Sequence, residues 1–372
     1  MALVAGTLLS IPLWLSRRAF PLFPRLSFIP PLPPPLDWIA LSLVWALAVG
    51  IVVRARPRGE IVGLAAIVAL LVLEDQTRCQ PWLYQYVLTL LALLPPRQGA
   101  ESPEVERSQL AALRIMTASM YCWSGLQKLN LLFFADTAPW FMEPVAQHLP
   151  TWLGPVLDVS CYALPVVEVF IGIGLLFRRV RRAAVLVGLL MHVFILYAIG
   201  PLGHNVNTVV WPWNAVMMGL LVILFIRVDQ VPFRPLWSHR PALLRLAIVG
   251  AFAILPSLNF LGLLNGNLSW GLYSGMLLEV DVNIDPAAMP CLPPEVRQHV
   301  EATKDGSVLS IWAWALDVVN VPPWPARWMY NRVQDQLCRC DPNGQLISFD
   351  IWDPVRWRLP IPFEEHRCGE TM

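Results

Sequence analysis

The sequence predicts an all-α polytopic membrane bundle of about eight or nine spans, followed by a small extramembrane α+β domain. Of the 372 residues, 56% are hydrophobic and only 14% are charged, whereas about a quarter of the residues in soluble domains are charged. The 35 prolines and 17 tryptophans fit this class, because both residue types are common in and around membrane helices. Basic and acidic residues nearly cancel, 27 against 26, which argues against a nucleic-acid partner.

The bundle is predicted over residues 1–264, because a helix needs about 20 apolar residues to cross a bilayer. The first candidate span is short, and whether it crosses fully stays open. The candidate spans are Met1–Leu15, Trp38–Val53, Ile61–Leu73, Trp82–Leu94, Leu110–Phe134, Val156–Phe177, Ala183–Ile199, Val209–Ile226 and Leu246–Leu264.

Arginines near the span ends predict an orientation, since positive loops stay in the cytoplasm. Three clusters fall on one side of an alternating bundle: Arg54–Arg58, Arg178–Arg182 and Arg227–Arg245. We therefore expect a cytoplasmic N-terminus and an extracytoplasmic domain over residues 265–372. Three arginines that follow the first span would lie on the opposite side, against the rule: Arg17, Arg18 and Arg25.

The C-terminal domain is predicted from alternation and from its cysteines. Leu278–Ile284 and Gln345–Ile351 alternate like strands, and Pro325–Leu337 is a candidate helix. In an oxidising compartment its four cysteines predict one or two disulfides, with three full pairings open. These are Cys291, Cys338, Cys340 and Cys368. Their spacing predicts no metal site.

The fifth span carries a polar stripe whose members recur every three or four residues and so share one helix face. They are Arg114, Thr117, Tyr121, Ser124, Gly125 and Lys128. A polar stripe avoids lipid, so it predicts contact with other helices or with a wet cavity. Lys128 lies at the end of the stripe, and two interpretations stay open: it belongs to a site, or it only reaches toward the headgroups.

The predicted topology brings further polar groups to the same mouth of the bundle. They are Asp75, Trp140, Glu143, His204 and Asn207. Converging titratable groups predict a ligand site. The alternatives are a local pair of Asp75 with Arg78, a solvated His204, and a helix cap at Asn207.

Glu168 and His192 lie near the middle of neighbouring spans. An unpaired charge at the bilayer centre costs about 2.5–3.5 kcal/mol, so Glu168 needs a partner or a proton. A structural Glu168–His192 hydrogen bond, a protonated Glu168 and a proton relay through both residues stay open.

Several motifs together resemble a known family. The run Tyr121–Leu129 followed by Trp140 is similar to the Y-x-x-A-G-x-K-K-L…W segment of vitamin K-dependent gamma-glutamyl carboxylases, which belong to the horizontally transferred transmembrane (HTTM) group. Pro35–Trp38, Leu73–Arg78 and the pair His204 and Asn207 resemble its P-L-D-W, L-D-K-T and H-x-x-N motifs. Gln127 stands where the family has its first lysine, and Trp82 lies near the position of a family histidine.

The resemblance implies a membrane enzyme that binds a reduced quinone of the vitamin K type, or another lipid-soluble molecule. Lys128 would then be the base, with His204 as a second catalytic residue that orients the ligand together with Asn207. Tyr121, Asp75, Trp140 and Glu143 would bind or tune the site. The alternative function is a non-catalytic scaffold, or a redox-associated subunit that acts through the cysteine-containing domain.

Overall fold

The computed structural model describes residues 1–26, 28–95, 102–227, 242–304, 306–354 and 363–370. Its helices are α1 Ala2–Leu9, α2 Ile11–Trp14, α3 Leu36–Val53, α4 Arg58–Glu74, α5 Pro81–Ala92, α6 Pro103–Gln127, α7 Ala138–Ala146, α8 Gly154–Leu176, α9 Arg181–Ile199, α10 Val210–Val222, α11 Ala242–Ala253, α12 Pro294–Arg297, α13 Ile311–Val319 and α14 Arg327–Leu337. Its strands are β1 Glu279–Ile284, β2 Glu301–Thr303, β3 Gly306–Ser310, β4 Ile347–Trp352 and β5 Phe363–Arg367.

Five helical segments among the described residues are long and apolar enough to cross a membrane. They are Leu36–Val53, Thr151–Leu176, Arg181–Ile199, Val210–Arg227 and Leu243–Leu261. The chain is thus an integral membrane protein with a mainly helical fold, as predicted. Three more helices pack beside these: α4 with 17 residues, α5 with 12 and the polar α6 with 25. The total of eight or nine spans therefore stays a prediction.

The predicted first span divides into two short helices. Pro12 lies in the first turn of α2, and the eight residues of α1 extend only about 12 Å, against roughly 30 Å of hydrocarbon. Instead of crossing alone, α1 packs against α10 and α3. The segment after α2 returns to the end of α4, where Arg18 donates to Asp75 at 2.6 Å. Arg18 is one of the three arginines that contradicted the rule that positive loops stay in the cytoplasm, and this buried pair neutralises its charge.

Close approach of α6 and α8 sets the geometry of the bundle centre. A Cβ on Gly125 would lie 2.6 Å from the Pro165 carbonyl oxygen, and one on Gly172 would lie 2.5 Å from the Cys122 Sγ. Only glycine fits at both positions, so the two helices meet backbone to backbone. This contact places the last turn of α6 directly beside the middle of α8.

The C-terminal region forms an antiparallel sheet with strand order β2-β3-β1-β4-β5. The two predicted strands are confirmed as β1 and β4, which pair over their full length, and the predicted helix is confirmed as α14. Three strands and the helices α12 and α13 were not predicted. Among the open pairings, the structure forms Cys291–Cys340 and Cys338–Cys368.

The sheet region contacts one end of the bundle, here called the sheet end. Asn320, just after α13, donates to the Leu9 carbonyl oxygen at 2.8 Å and accepts from the Thr208 backbone N–H at 3.0 Å. Gln80, just before α5, donates to the Pro322 carbonyl oxygen at 3.0 Å. The arginine-rich turn between α8 and α9 lies at the opposite end, because α8 runs away from the sheet end. Arg234 and Arg240 of the third predicted cluster lie outside the described residues.

Candidate functional site

A cavity of ≈ 140 Å³ lies inside the bundle and reaches toward the sheet end. Its wall is mostly apolar and comes mainly from α6, α8, α9 and α10, with the segment before β1 contributing Tyr273. The other titratable and amide side chains of the wall lie on or at the end of those four helices: Tyr121, Lys128, Glu168, His192 and Asn214. Polar groups inside a membrane bundle are costly unless they are paired, so their partners decide what the cavity can bind.

Lys128 and Glu168 form a buried ion pair at the cavity wall. The Lys128 Nζ lies 3.0 and 2.9 Å from the two carboxylate oxygens of Glu168, and it donates to the Ser124 Oγ at 2.7 Å. The two side chains are only 10% and 9% exposed. Lys128 caps the end of α6, and the glycine contact between α6 and α8 brings Glu168 within reach. The polar stripe therefore turns Lys128 inward rather than toward the headgroups.

A second polar chain joins Tyr121, His192 and Asn214. The Asn214 Nδ2 donates to the Val210 carbonyl oxygen at 2.8 Å, so its Oδ1 is the acceptor that faces the His192 Nδ1 at 2.7 Å. This assignment puts the proton of a neutral imidazole on Nδ1. The Nε2 then accepts from the Tyr121 hydroxyl at 2.5 Å. The Tyr121 oxygen keeps lone pairs that can accept a further hydrogen bond.

Of the alternatives left open for Glu168 and His192, the structure does not form a hydrogen bond between the two residues. Both residues line the same cavity, but each has its own partner: Lys128 for Glu168 and the chain of Tyr121 and Asn214 for His192. Asn214, a polar residue inside the predicted span Val209–Ile226, was the sequence signal from which the partner of His192 could have been found.

Trp140 and His204 meet at the sheet end, outside the cavity wall. Their rings stack with centroids 4.0 Å apart and an interplanar angle of 8°, and the His204 Nε2 lies 2.8 Å from the Trp140 carbonyl oxygen. A carbonyl can only accept, so His204 donates. The expectation that His204 acts with Lys128 in one ligand site is therefore wrong, since His204 is held by Trp140 and does not line the cavity.

Asn207 does not line the cavity but holds a residue that does. Its Nδ2 donates to the Tyr273 hydroxyl at 2.8 Å, and Tyr273 lines the cavity. Burial raises the pKa of the Tyr273 phenol, although the hydrogen bond from Asn207 opposes this shift. The phenol is therefore neutral at physiological pH. Trp270 and Tyr273, from the segment between α11 and β1, are wall residues that the sequence analysis missed.

The structure separates the two predicted acidic site residues from the cavity. Asp75 is fully buried in its pair with Arg18, and Arg78 beside it donates to Glu74 at 2.6 Å. These charges tie the N-terminal segment to α4, as the local-pair alternative anticipated in part. Glu143 lies on the exposed face of α7. Neither carboxylate lines the cavity.

The arrangement can offer hydrogen bonds in both directions. Lys128 has three N–H donors. One donates to the Ser124 Oγ, and a single N–H can be shared between the two carboxylate oxygens of Glu168. The third N–H can then donate to a ligand. Tyr121 offers an acceptor. Over the described part of the chain, no cluster of three or more His, Cys, Asp or Glu side chains could hold a metal ion.

Comparison with known proteins gives one family. The family model of the methylamine utilisation protein MauE, a membrane family, matches residues 107–207. The match runs from α6 to the loop before α10 and contains Tyr121, Lys128, Glu168 and His192. No curated protein and no solved structure matches the chain.

This finding overturns the resemblance to HTTM proteins and vitamin K-dependent carboxylases. The matched family covers the very run, Tyr121–Leu129, on which that resemblance depended. The structure supplies the physical reason: Gly125 is required by the backbone contact with α8, so the glycine of the motif reports helix packing. The expectations of carboxylase chemistry and of a reduced quinone lose their basis with it.

Proposed function

We propose that this integral membrane protein binds one small, mainly apolar molecule with a single hydrogen-bonding group, in the cavity between α6, α8, α9 and α10. The observation that carries the proposal is the cavity itself, a mainly apolar space whose polar wall groups include the Tyr121 hydroxyl and the Lys128 ammonium. A purely structural ion pair needs no empty space beside it. Buried space next to an acceptor and a donor is the arrangement that small-molecule sites have.

The volume limits the size of the ligand. An engineered cavity of about 150 Å³ in another protein holds one benzene molecule, and the cavity here measures ≈ 140 Å³. One six-membered ring, or an apolar group of equal size, fills it. A hydroxyl on that ring would donate to the Tyr121 oxygen, and a carbonyl would accept from Lys128. In its ion pair with Glu168, Lys128 serves as a donor rather than as a base.

Binding can be tested with 4-fluorophenol, followed by ¹⁹F NMR on the protein in lipid nanodiscs. Val167 lines the cavity, so Val167→Phe fills it and should abolish saturable binding. Val166→Phe is the matched control, because Val166 is the adjacent residue and is 59% exposed on the outer surface of α8. It should bind like the wild type. Equal binding by all three proteins, or none by the wild type, would refute the proposal.

The family match favours a role of this binding site in methylamine utilisation. A family named for methylamine utilisation matches the segment that supplies most polar groups of the cavity. We therefore propose that the protein serves methylamine utilisation, with the cavity as its working site. Deletion of the gene should impair growth with methylamine as the only nitrogen source but not with ammonium. A complementing Val167→Phe variant should fail where Val166→Phe succeeds.

The proposed orientation places the sheet end outside the cytoplasm. Two observations support it: the exposed arginines between α8 and α9 lie at the opposite end, and the sheet region contains two disulfides, which form in oxidising compartments. Single cysteines introduced at Lys304 and at Arg179 test it. In intact cells a membrane-impermeant maleimide should label position 304 and not position 179, and the reverse pattern would overturn the orientation.

The scaffold alternative has less support. Its working surface would be the cysteine-containing domain, but all four cysteines of that domain are paired with each other. The remaining three lie in the bundle region. A thiol-based role would therefore require a disulfide to open first.

A further inference from the structure

The segment between the bundle and the sheet is an irregular stretch that closes the cavity at the sheet end. It runs from Asn267 to Met276, and it contributes Trp270, Leu272 and Tyr273 to the cavity wall. Apart from a short 3₁₀ turn at its start, it forms neither helix nor strand.

Its backbone is strained. Trp270 has φ 63°, Tyr273 has φ 56° and Gly275 has φ 69°, so three of six consecutive residues are left-handed. Glycine adopts this conformation freely, but a bulky side chain rarely does. Two aromatic residues are thus held in an unfavourable conformation by what surrounds them. Strain of this kind persists at clamps and switch segments, where the contacts over-determine the backbone.

Several contacts hold the segment against the bundle; Tyr273 also meets the rings of Trp140 and Phe141 at centroid distances of 6.0 and 5.3 Å, and three further contacts bear on its opening. Trp270 packs between Tyr84 and Phe252, with ring centroids 4.8 and 4.9 Å away. The Tyr273 hydroxyl accepts from Asn207 at 2.8 Å. The Ser274 carbonyl oxygen accepts from the Asn130 Nδ2 at 2.8 Å. Of these three, the first is apolar, and the other two are single hydrogen bonds from loops.

The sheet region forms a hydrogen bond to the chain just after the C-terminal end of this segment. The Tyr330 hydroxyl of α14 donates to the Leu278 carbonyl oxygen at 2.8 Å, and β1 begins at the next residue, Glu279. Tyr273 therefore lies five residues before Leu278, the point at which the sheet region holds the chain. The same stretch of chain therefore forms part of the cavity wall and leads directly into the first strand of the sheet.

We propose that residues 267–276 form a lid that admits ligand to the bundle cavity from the sheet end, with the hydrogen bond from Asn207 to Tyr273 as its latch. The proposal rests on the proposed binding function and names the regulation of that site. Opening breaks the latch and relaxes the left-handed aromatic residues. Closing seats Tyr273 against the bound molecule. The lid sets the rate of ligand exchange, whereas the α-helical wall sets the affinity.

The chain offers a matched pair of variants for the test. Asn207 and Asn205 lie two residues apart in one loop, and both are left-handed, with φ 48° and 53°. Asn207 is buried and holds the latch, whereas Asn205 is exposed. Asn207→Gly and Asn205→Gly therefore make the same backbone change, and only the first removes the latch. Neither residue lines the cavity.

The measurement is the exchange rate of 4-fluorophenol, taken from ¹⁹F line shapes and saturation transfer in nanodiscs. Loss of one buried hydrogen bond should speed both association and dissociation roughly two- to tenfold in Asn207→Gly, with little change in Kd. Asn205→Gly should exchange like the wild type. Amide hydrogen exchange in peptides that cover residues 267–276 should rise in Asn207→Gly and not in Asn205→Gly.

The outcomes separate the two proposals. If 4-fluorophenol binds saturably but both variants exchange at the wild-type rate, the lid is refuted and the binding site stands. Equal acceleration in both variants also refutes it, because the loop rather than the latch would then control exchange. If the wild type does not bind the probe at all while hydrogen exchange in the segment still depends on Asn207, the latch exists but does not serve this cavity, and the lid proposal falls with the binding function.

Discussion

Replacing one member of the ion pair at the cavity wall should destabilise the bundle far more than replacing both. In Lys128→Met the Glu168 carboxylate stays buried without its partner, and in Glu168→Met the ammonium is left in the same state. At the observed 2.9 Å, two unit charges attract with about 6 kcal/mol at an effective dielectric constant of about 20. Part of that attraction only offsets desolvation. Breaking a buried pair on one side therefore costs about 3–5 kcal/mol.

The double variant Lys128→Met with Glu168→Met has no charge left to desolvate. Methionine has a length similar to both side chains, and apolar replacements of buried ion pairs are often neutral or stabilising. We expect the double variant to lie within about 1 kcal/mol of the wild type, the size of an average single-substitution effect. With single effects of about 3–5 kcal/mol each, the coupling energy from the complete cycle should then be about 5 kcal/mol or more, above the usual range of about 0.5–3 kcal/mol for residues in contact.

Reversible unfolding by sodium dodecyl sulfate in mixed micelles, followed by tryptophan fluorescence, measures all four free energies. Lys304→Met is the control for the loss of a lysine, because Lys304 is exposed in the turn between β2 and β3; its effect should stay within about 0.5 kcal/mol. Additive single effects, equal to the double within about 0.5 kcal/mol, would show that the two residues do not act as a buried pair. The geometric account of the site would then be wrong.

Three further predictions concern packing, pairing and acid. Gly125→Ala should destabilise the bundle by about 1–3 kcal/mol, because its Cβ would lie 2.6 Å from a carbonyl oxygen of α8, whereas Gly219→Ala, which meets open space, should not; detergent unfolding compares them. Non-reducing peptide mapping should recover Cys338–Cys368, and Cys338→Ser, which opens a loop with a sequence separation of 30, should cost about 3.5 kcal/mol; peptides that join other cysteines would contradict this. Hydrogen bonds from Arg327 lower the pKa of Glu364 from 4.5 to about 2, so this stabilisation is complete above pH 4.5 and disappears as the pH falls to about 2; Arg327→Met should lose that pH dependence of unfolding.

The sequence alone determined the class of the protein and much of its secondary structure. A chain with so few charges cannot cover a soluble core of this size, so the membrane environment follows from composition. Periodicity then located β1, β4 and α14, because alternation and helical spacing are local properties. The polar stripe on α6 likewise placed Tyr121 and Lys128 on one helix face, since residues three and four apart share a face whatever the partner helix is.

Only the tertiary structure decided which polar groups meet. Glu168 pairs with Lys128 because Gly125 and Gly172 let two backbones touch, and no spacing within one helix encodes that approach. The motif that resembled a carboxylase was a packing motif for the same reason. Tyr273 entered the site through a left-handed segment that has no periodicity to read. Local sequence patterns determine which face of a helix or strand is polar. Which polar side chains pair across two elements depends on the distance between those elements, and that distance is a property of the packed bundle.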